Sequence, residues 1–245
     1  MSELSEAQFV ECQVSLVQRM GRDVYWVELE PVEGKLPSYE AGQYLMLELE
    51  DGSLRPFSIA SSPLQDELEL HIRRLPGHDE ADKIVSQLEH QKKVRVQMPQ
   101  GECLLTDSQR PAVFIAGGTG FAPFHSMIKT ALRSKNPREL ILYWGAQTSP
   151  DLYFHREPLE WSQKYSNFTY VPVLSGLDEE WQGRKGFVHH AFMLDHDDIT
   201  DMDIYVGGSE PMVMSVYQDL LNRGVAKESI HSDILDIKRQ MGLLD

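Results

Sequence analysis

The chain has very little cysteine: Cys12 and Cys103 are the only two among 245 residues. Two thiols cannot supply a disulfide framework, a four-thiolate zinc site or a cysteine-ligated iron–sulfur cluster. Basic charge is scarce as well, with 23 Lys and Arg against 38 Asp and Glu and a formal net charge of −15. A field of that sign repels phosphodiester backbones and anionic lipid, so neither nucleic acid nor a membrane surface is an expected partner. Any anionic ligand must be held by local donors. No apolar run approaches membrane-spanning length, and Met1–Val10 carries acids where a signal peptide needs bases. The expected location is cytoplasmic. No metal is expected either. His189 and His190 are adjacent, so in a helix they diverge, and His196 sits in an acidic loop with Asp195, Asp197 and Asp198.

What is present falls into two patterns. Up to about residue 100 the chain alternates with period two: FVECQVSLV (Phe9–Val17), DVYWVELE (Asp23–Glu30), QYLMLELE (Gln43–Glu50), LELHIRR (Leu68–Arg74) and KVRVQM (Lys93–Met98). These are half-buried strands, punctuated by glycine turns, with one helix expected over Asp79–His90. The spacing predicts a small antiparallel β-barrel. After TDSQRP (Thr106–Pro111) the pattern changes. AVFIAGG reads as a strand buried on both faces, FHSMIKTALRSK as a helix, ELILYWGA, FTYVPVL and DIYVGG as strands, and EPMVMSVYQDLLNR as a helix. Strand–helix alternation implies an α/β doubly wound parallel sheet. The expectation is two domains, residues 1–106 and 107–245, divided near Thr106–Arg110.

Three stretches carry chemistry. In FIAGGTGFAPF (Phe114–Phe124) a buried strand runs into Gly117, Gly118 and Gly120 and then a helix. Glycines let a backbone approach a ligand, and a helix start offers unpaired N–H groups, which suits phosphate. Thr119 adds a hydroxyl, and Pro123 fits a first helical turn because it has no N–H to leave unpaired. The usual dinucleotide fingerprint is broken by Pro123, and the next strand ends in Gly145-Ala146-Gln147 without the ribose-binding acid. The plain alternative is a tight turn. Gly207 and Gly208 in YVGGSEPM also follow an apolar strand, and a parallel sheet would put both glycine loops on one edge. Ser209 and Glu210 there read equally as a helix cap and first turn. In RPFSIASS (Arg55–Ser62), strict alternation sends Arg55 and Ser58 to opposite faces. They share a ligand only if the strand ends or bulges near Pro56; otherwise Arg55 is a solvated arginine on an edge strand.

RPFS, GGTGFAP, YWGAQTSPDLYF and YVGGSEPM, in that order, resemble the ferredoxin–NADP reductase superfamily, and within it the bacterial NAD(P)H:flavin oxidoreductases. The resemblance runs from about Val10 to Asp233. It implies a flavin-binding barrel followed by a nicotinamide-dinucleotide domain. By the resemblance, Arg55 lies at the flavin's polar tail, and the Ser58 hydroxyl faces flavin N5 as the catalytic group. Pro56, Phe57, Ile59 and Ala60 line the ring. His71, Ile72 and Arg73 are flavin candidates, with solvent as the alternative for His71 and Arg73. Gly117, Gly118, Thr119, Gly120, Pro123, Gly145, Gln147, Gly207, Gly208, Ser209 and Met212 are candidates for NADH or NADPH. The dinucleotide's ribose end falls near GAQTSPD, and Arg184 and Lys185 of WQGRKGFV serve a further phosphate only if the chain folds back. NADH is the expected donor, with NADPH accepted.

Departures from the superfamily pattern matter. Where other members cradle a pyrophosphate, this chain has GHDEADK (Gly77–Lys83), with acids in place of donors. The flavin (riboflavin, FMN or FAD) is therefore expected to bind as a substrate. The C-terminal aromatic of other branches is missing, with His231, Ile234 and Leu235 in its region. The implied reaction is hydride transfer from nicotinamide C4 to flavin N5, with reduced flavin released to a monooxygenase, luciferase or ferric iron. The alternative is a reductase component with tightly bound FAD that serves a protein partner.

Overall fold

The computed structural model describes residues 6–74 and 79–244. They form two units: Met1–Leu105 with Ala122–Ala131, and Thr106–Phe121 with Leu132–Asp245. The stretch Ala122–Ala131 therefore clusters with the first unit, although it follows Thr106 in sequence.

The first unit is built on six antiparallel strands: β1 (Gln8–Met20), β2 (Val24–Pro31), β3 (Tyr44–Glu48), β4 (Leu54–Ser58), β5 (Leu68–Arg73) and β6 (Lys93–Gln100). Their order is β4-β3-β6-β1-β2-β5. The two edge strands meet just past Ser58, where Ala60 N–H donates to the Glu69 carbonyl at 2.7 Å, giving a barrel-like sheet. The alternating residues Val27, Leu29, Leu45, Leu47, Leu68, Leu70, Val94 and Val96 fill its core. Helix α1 (Asp79–His90) contributes Ile84, Val85 and Leu88 to the same cluster, the face its spacing predicts. Truncating one of these leucines to Ala would cost about 2–5 kcal/mol.

The second unit has a sheet of six parallel strands: β7 (Ala112–Gly117), β8 (Leu140–Ala146), β9 (Phe168–Leu174), β10 (Arg184–Lys185), β11 (Asp203–Gly207) and β12 (Ile230–His231). Its helices are α3 (Arg156–Lys164), α4 (Val188–Asp195), α5 (Glu210–Asn222) and α6 (Asp233–Gln240), while α2 (Phe121–Arg133) lies mostly in the first unit. The order β10-β9-β8-β7-β11-β12 reverses direction between β7 and β11, which makes that pair the switch point of the sheet. Val113, Ile115, Ile204 and Val206 pack with α4, α5 and α6 residues in one cluster. The alternate residues Phe114 and Tyr205 stack on each other at 5.2 Å. That is why these strands read as continuous apolar runs.

Asp203, at the start of β11, is completely buried. Its carboxylate pairs with Arg138 and Arg110 and accepts from Thr106 Oγ1 at 3.1 Å. Charged hydrogen bonds from three directions offset the desolvation of that group. Among the described residues, no helix is long and apolar enough to cross a membrane.

Candidate active site

Strand β4 carries Arg55-Pro56-Phe57-Ser58 and pairs with β3 in unbroken register, Arg55 opposite Leu47 and Ser58 opposite Tyr44. The strand neither bulges nor stops at Pro56; it ends at Ser58. Alternation places Arg55 and Ser58 on opposite faces of the strand, whose end lies at Ser58 itself. Proline is tolerated here because β4 is an edge of the sheet order. The Arg55 guanidinium is ion-paired with Glu80 of α1 and donates to the Leu54 carbonyl at 3.0 Å. Phe57 packs against the barrel core and Pro56 is exposed.

Beyond the strand the chain turns inward, and Ile59, Ala60, Ser61 and Ser62 are buried. Residues of α2 hold this segment. His125 Nδ1–H donates to the Ala60 carbonyl at 2.8 Å, Ser126 Oγ to the Ser61 carbonyl at 2.5 Å and Thr130 Oγ1 to Ser62 Oγ at 2.8 Å. The Tyr39 hydroxyl lies 3.0 Å from Ser61 Oγ. Two of the three serine hydroxyls in the row are thus structural. The half-buried Ser58 hydroxyl has no hydrogen-bond partner among the described residues.

Strand β5 departs from the solvent alternative for His71. The His71 side chain is fully buried, and the Glu69 carboxylate beside it is only 6% exposed. The period-two pattern was right, but α2 covers the face that alternation assigned to solvent. His71 Nε2 lies 2.9 Å from Glu69 Oε1, His125 Nδ1 lies 3.9 Å from the same oxygen, and Lys129 Nζ lies 3.8 Å from Glu69 Oε2. Burial pushes the Glu69 carboxyl up. The hydrogen bond from His71 and the charges of His125, His71 and Lys129 outweigh it and bring it down to about 2. Arg73 is exposed and pairs with Asp23 at 2.8 Å, while Ile72 points into the barrel core. Glu69, His125 and Lys129 were not singled out from the sequence. An acid and a histidine alternating with leucines in LELHI, plus a helix with His and Lys four apart, was the available signal.

In the second unit the two glycine loops lie side by side, because β7 and β11 are neighbours with Ala116 opposite Gly207. Gly118 adopts φ 54°, and its carbonyl accepts from Trp144 Nε1 at 2.9 Å. A Cβ on Gly120 would lie closer than 3.0 Å to backbone atoms of Gly207 and Gly208. One on Gly117 would strike the Met212 sulfur. Part of the glycine requirement is thus close packing of loop on loop, which the turn reading had anticipated only as conformation. Thr119 is half-buried and Pro123 lies in the first turn of α2. Ser209 is the N-cap of α5 by backbone position but makes no side-chain cap bond, and Glu210 pairs with Lys238 at 2.6 Å.

Gly145 faces Gly117 in register, and a Cβ there would meet Val188 at 2.8 Å. Gln147 is exposed at the end of β8. Ser149 N–H donates to Asp178 Oδ2 at 3.2 Å, so a carboxylate does stand at this loop, supplied from beyond β9. Arg184 is tied to Asp195, and its carbonyl accepts from Trp181 Nε1 at 2.9 Å, the arrangement of a turn. Lys185 Nζ approaches the Asp178 carbonyl at 3.5 Å.

Leu235 and Ile234 of α6 pack in the core of the second unit, and His231 stacks on Tyr205 at 4.7 Å, so these side chains are engaged there. His189 and His190 do not diverge in effect. Their Nε2 atoms lie 3.2 and 3.7 Å from the same oxygen, Asp219 Oδ2 on α5.

The donor sets fit the groups the motifs imply. A free hydroxyl beside an apolar row suits a flavin ring and its ribityl chain. Parallel glycine loops at a sheet switch point suit a nicotinamide nucleotide. A flavin pyrophosphate is poorly served. Gly77 and His78 of GHDEADK lie outside the described residues, but Glu80 and Asp82 of that segment already occupy Arg55 and Arg74.

Known proteins resemble this chain in sequence and in fold. Residues 114–218 match the model of the oxidoreductase NAD-binding domain. Protein RfbI of Salmonella typhimurium is 38% identical over 91% of the chain and 67% of its own length. The NAD(P)H-flavin reductase of Vibrio harveyi is 33% identical over 89% of the chain and 94% of its own length. Reductase component 2 of the terephthalate 1,2-dioxygenase of a Comamonas species is 32% identical over 86% of the chain, which spans 64% of it. Among solved structures, the Amycolatopsis cytochrome P450 reductase GcoB superposes with a TM-score of 0.84 at 30% identity, covering 93% of this chain and 69% of that one.

Proposed function

The chain belongs to the NAD(P)H-flavin reductase family of the ferredoxin–NADP reductase superfamily, and from that membership we propose that it reduces a loosely held flavin and then releases it. It is an oxidoreductase working with a nicotinamide nucleotide and a flavin. When bound, the nicotinamide would supply a hydride from C4, for which N5 of the flavin ring would be the acceptor.

This chain's residues bind and orient. Gly117, Gly118, Thr119 and Gly120, with Gly207 and Gly208, would receive the nicotinamide end, where short backbone donors replace the missing basic side chains. Gly145 and Gln147 would line the ribose end. Ser58 would donate or accept at the flavin edge, because its hydroxyl is not spent on the protein. Phe57, Ile59 and Ala60 would give the apolar side of the seat, and the buried position of Ile59 and Ala60 makes their contribution one of backbone shape. NADH is the proposed donor. What supports this is the commitment of Arg184 to Asp195, which leaves that guanidinium unavailable to a further phosphate.

The observation that carries the release of flavin is the pairing of Arg55 with Glu80 and of Arg74 with Asp82. Both arginines near the start of α1 are neutralised by its acids, so a pyrophosphate would have to displace carboxylates. Reduced flavin would then serve a flavin-dependent monooxygenase, a luciferase or ferric iron. A second reading, electron delivery to a protein partner with flavin retained, is supported by the relatives that are reductase components of oxygenase systems. Anaerobic stopped-flow mixing of flavin-stripped protein with NADH and excess riboflavin separates the two. Many turnovers of riboflavin support release. Turnover only with FAD and an added protein acceptor supports the second reading.

A further inference from the structure

Acidic residues back the segment proposed as the flavin seat. Glu69 lies directly behind it: Ala60 N–H donates to the Glu69 carbonyl at 2.7 Å, and Glu69 N–H donates to Ser61 Oγ at 3.1 Å. Its register partner across the strands is Glu28. Like charges directly opposite are destabilising, and burial together with Glu69 and Glu67 pushes the Glu28 carboxyl up. The chain keeps this repulsion when an uncharged pair would remove it.

The groups around Glu69 can be enumerated. Glu28 comes from β2, His71 from β5, the Tyr39 hydroxyl from the loop before β3, and His125 and Lys129 from α2, with Glu30 and Glu67 acting on Glu28. Only Lys129 carries a fixed positive charge among them, and it faces Glu69 at 3.8 Å. Three arginines of the same unit are also matched, Arg55 by Glu80, Arg73 by Asp23 and Arg74 by Asp82. Among the described groups, Lys129 is thus the one fixed cation set against the Glu69 and Glu28 carboxylates.

We propose that Glu69 is a release determinant: its carboxylate, held behind Ala60 and Ser61, disfavours the anionic form of reduced flavin while leaving the neutral oxidised form nearly untouched. Reduced flavin ionises near neutral pH, whereas the oxidised ring is uncharged. A buried charge acts at low effective dielectric, so it discriminates between the two without touching either. The inference rests on the reading of this segment as the flavin seat. Lys129 is the opposing charge, and the balance of the two sets the affinity ratio.

The test is equilibrium binding of oxidised and chemically reduced riboflavin to flavin-free protein, anaerobically and without nicotinamide. Wild type, Glu69→Gln, Lys129→Met and the double variant are compared. Glu69→Gln keeps an acceptor for His71 and removes only the charge. It is expected to bind reduced riboflavin about tenfold tighter with little change for oxidised riboflavin, the effect of about one unit charge at an effective dielectric near 20. That ratio would raise the potential of bound riboflavin by about 30 mV. Lys129→Met should weaken reduced riboflavin, and the double variant should return toward wild type. Opposite signs from the two single variants are not expected of a merely structural role. A Glu69→Gln protein that shifts neither form, or both equally, overturns the inference while the seat stands. Wild-type protein that binds neither form overturns the seat and the inference with it. Should Glu69→Gln fail to fold, Lys129→Met decides alone: an unchanged ratio of the two affinities overturns the proposal.

Discussion

Replacing Gly120 by alanine probes the point where the glycine loops after β7 and β11 touch. The added Cβ would lie closer than 3.0 Å to three atoms, Gly207 C, Gly207 O and Gly208 N. All three are backbone, so no side chain can swing aside. Carbon contacts are comfortable at about 3.5–4.0 Å, so the loops must part by about 1 Å. Overpacking of this kind costs about 1–3 kcal/mol. Displacing a positioned reactant by about 1 Å costs on the order of 100-fold in rate. The expected outcome is a fall of about that size in kcat/KM for NADH, and a Tm lower by about 2–4 °C for each kcal/mol lost. Riboflavin binding to the first unit, followed by fluorescence without nicotinamide, should not change. Steady-state kinetics beside thermal unfolding gives both readings. Unaltered kcat/KM together with unaltered Tm would refute the argument that these loops are in contact and bear on nicotinamide.

Other outcomes follow from the same structure. Ser58→Ala should lower kcat by about tenfold, the worth of one hydrogen bond, with KM for NADH unchanged; steady-state kinetics with riboflavin checks it. Glu80→Ala releases Arg55 from its partner and should favour FMN over riboflavin by a few-fold, measured by competitive binding. Glu69 lies at about 2 against an ordinary 4.5, so it contributes stability that is complete above pH 4.5 and lost as pH falls toward 2. Urea unfolding across the acid range should show that loss, on the order of 3 kcal/mol, in wild type and not in Glu69→Gln. Asp203→Asn leaves Arg138 buried without its countercharge and should destabilise the protein by about 3–5 kcal/mol in urea unfolding.

The two halves of the fold are legible because their periodicities are clean. Leu68, Leu70 and Ile72 alternate with polar residues on β5, and Phe114 to Ala116 are apolar on both faces of β7. Helix α1 was legible down to its ends, since Ile84, Val85 and Leu88 fall on one face of Asp79–His90. Helices α3, α4 and α6 were not. REPLEWSQK has one buried residue, Pro158, so its pattern carries no apolar stripe. VHHAFMLD is apolar nearly all round, and DILDIKRQ commits only Leu235 fully to the core. At the proposed site, the motifs pointed to Ser58 and both glycine pairs. They could not reveal that Arg55 is neutralised, because Glu80 lies a helix away in sequence. Nor could they reveal that His71 is enclosed, because the residues covering it, His125 and Lys129, come from beyond the expected boundary. Pattern describes a strand's faces; it does not say what is laid against them.

Helix α2 bears on how such a chain could be recombined. A chimaera spliced after Leu105, the seam the connection suggests, would exchange Ala122–Ala131 along with everything else downstream. The carbonyls of Ala60 and Ser61 and the hydroxyl of Ser62 would then face whatever the donor chain carried in place of His125, Ser126 and Thr130. Each buried acceptor left unmatched costs about 1–3 kcal/mol. Shuffling of halves among related reductases is thus filtered at three helix positions that belong to one half by sequence and to the other by hydrogen bonding. A graft that respects the fold must carry those side chains with the barrel, as a tenon travels with its own board.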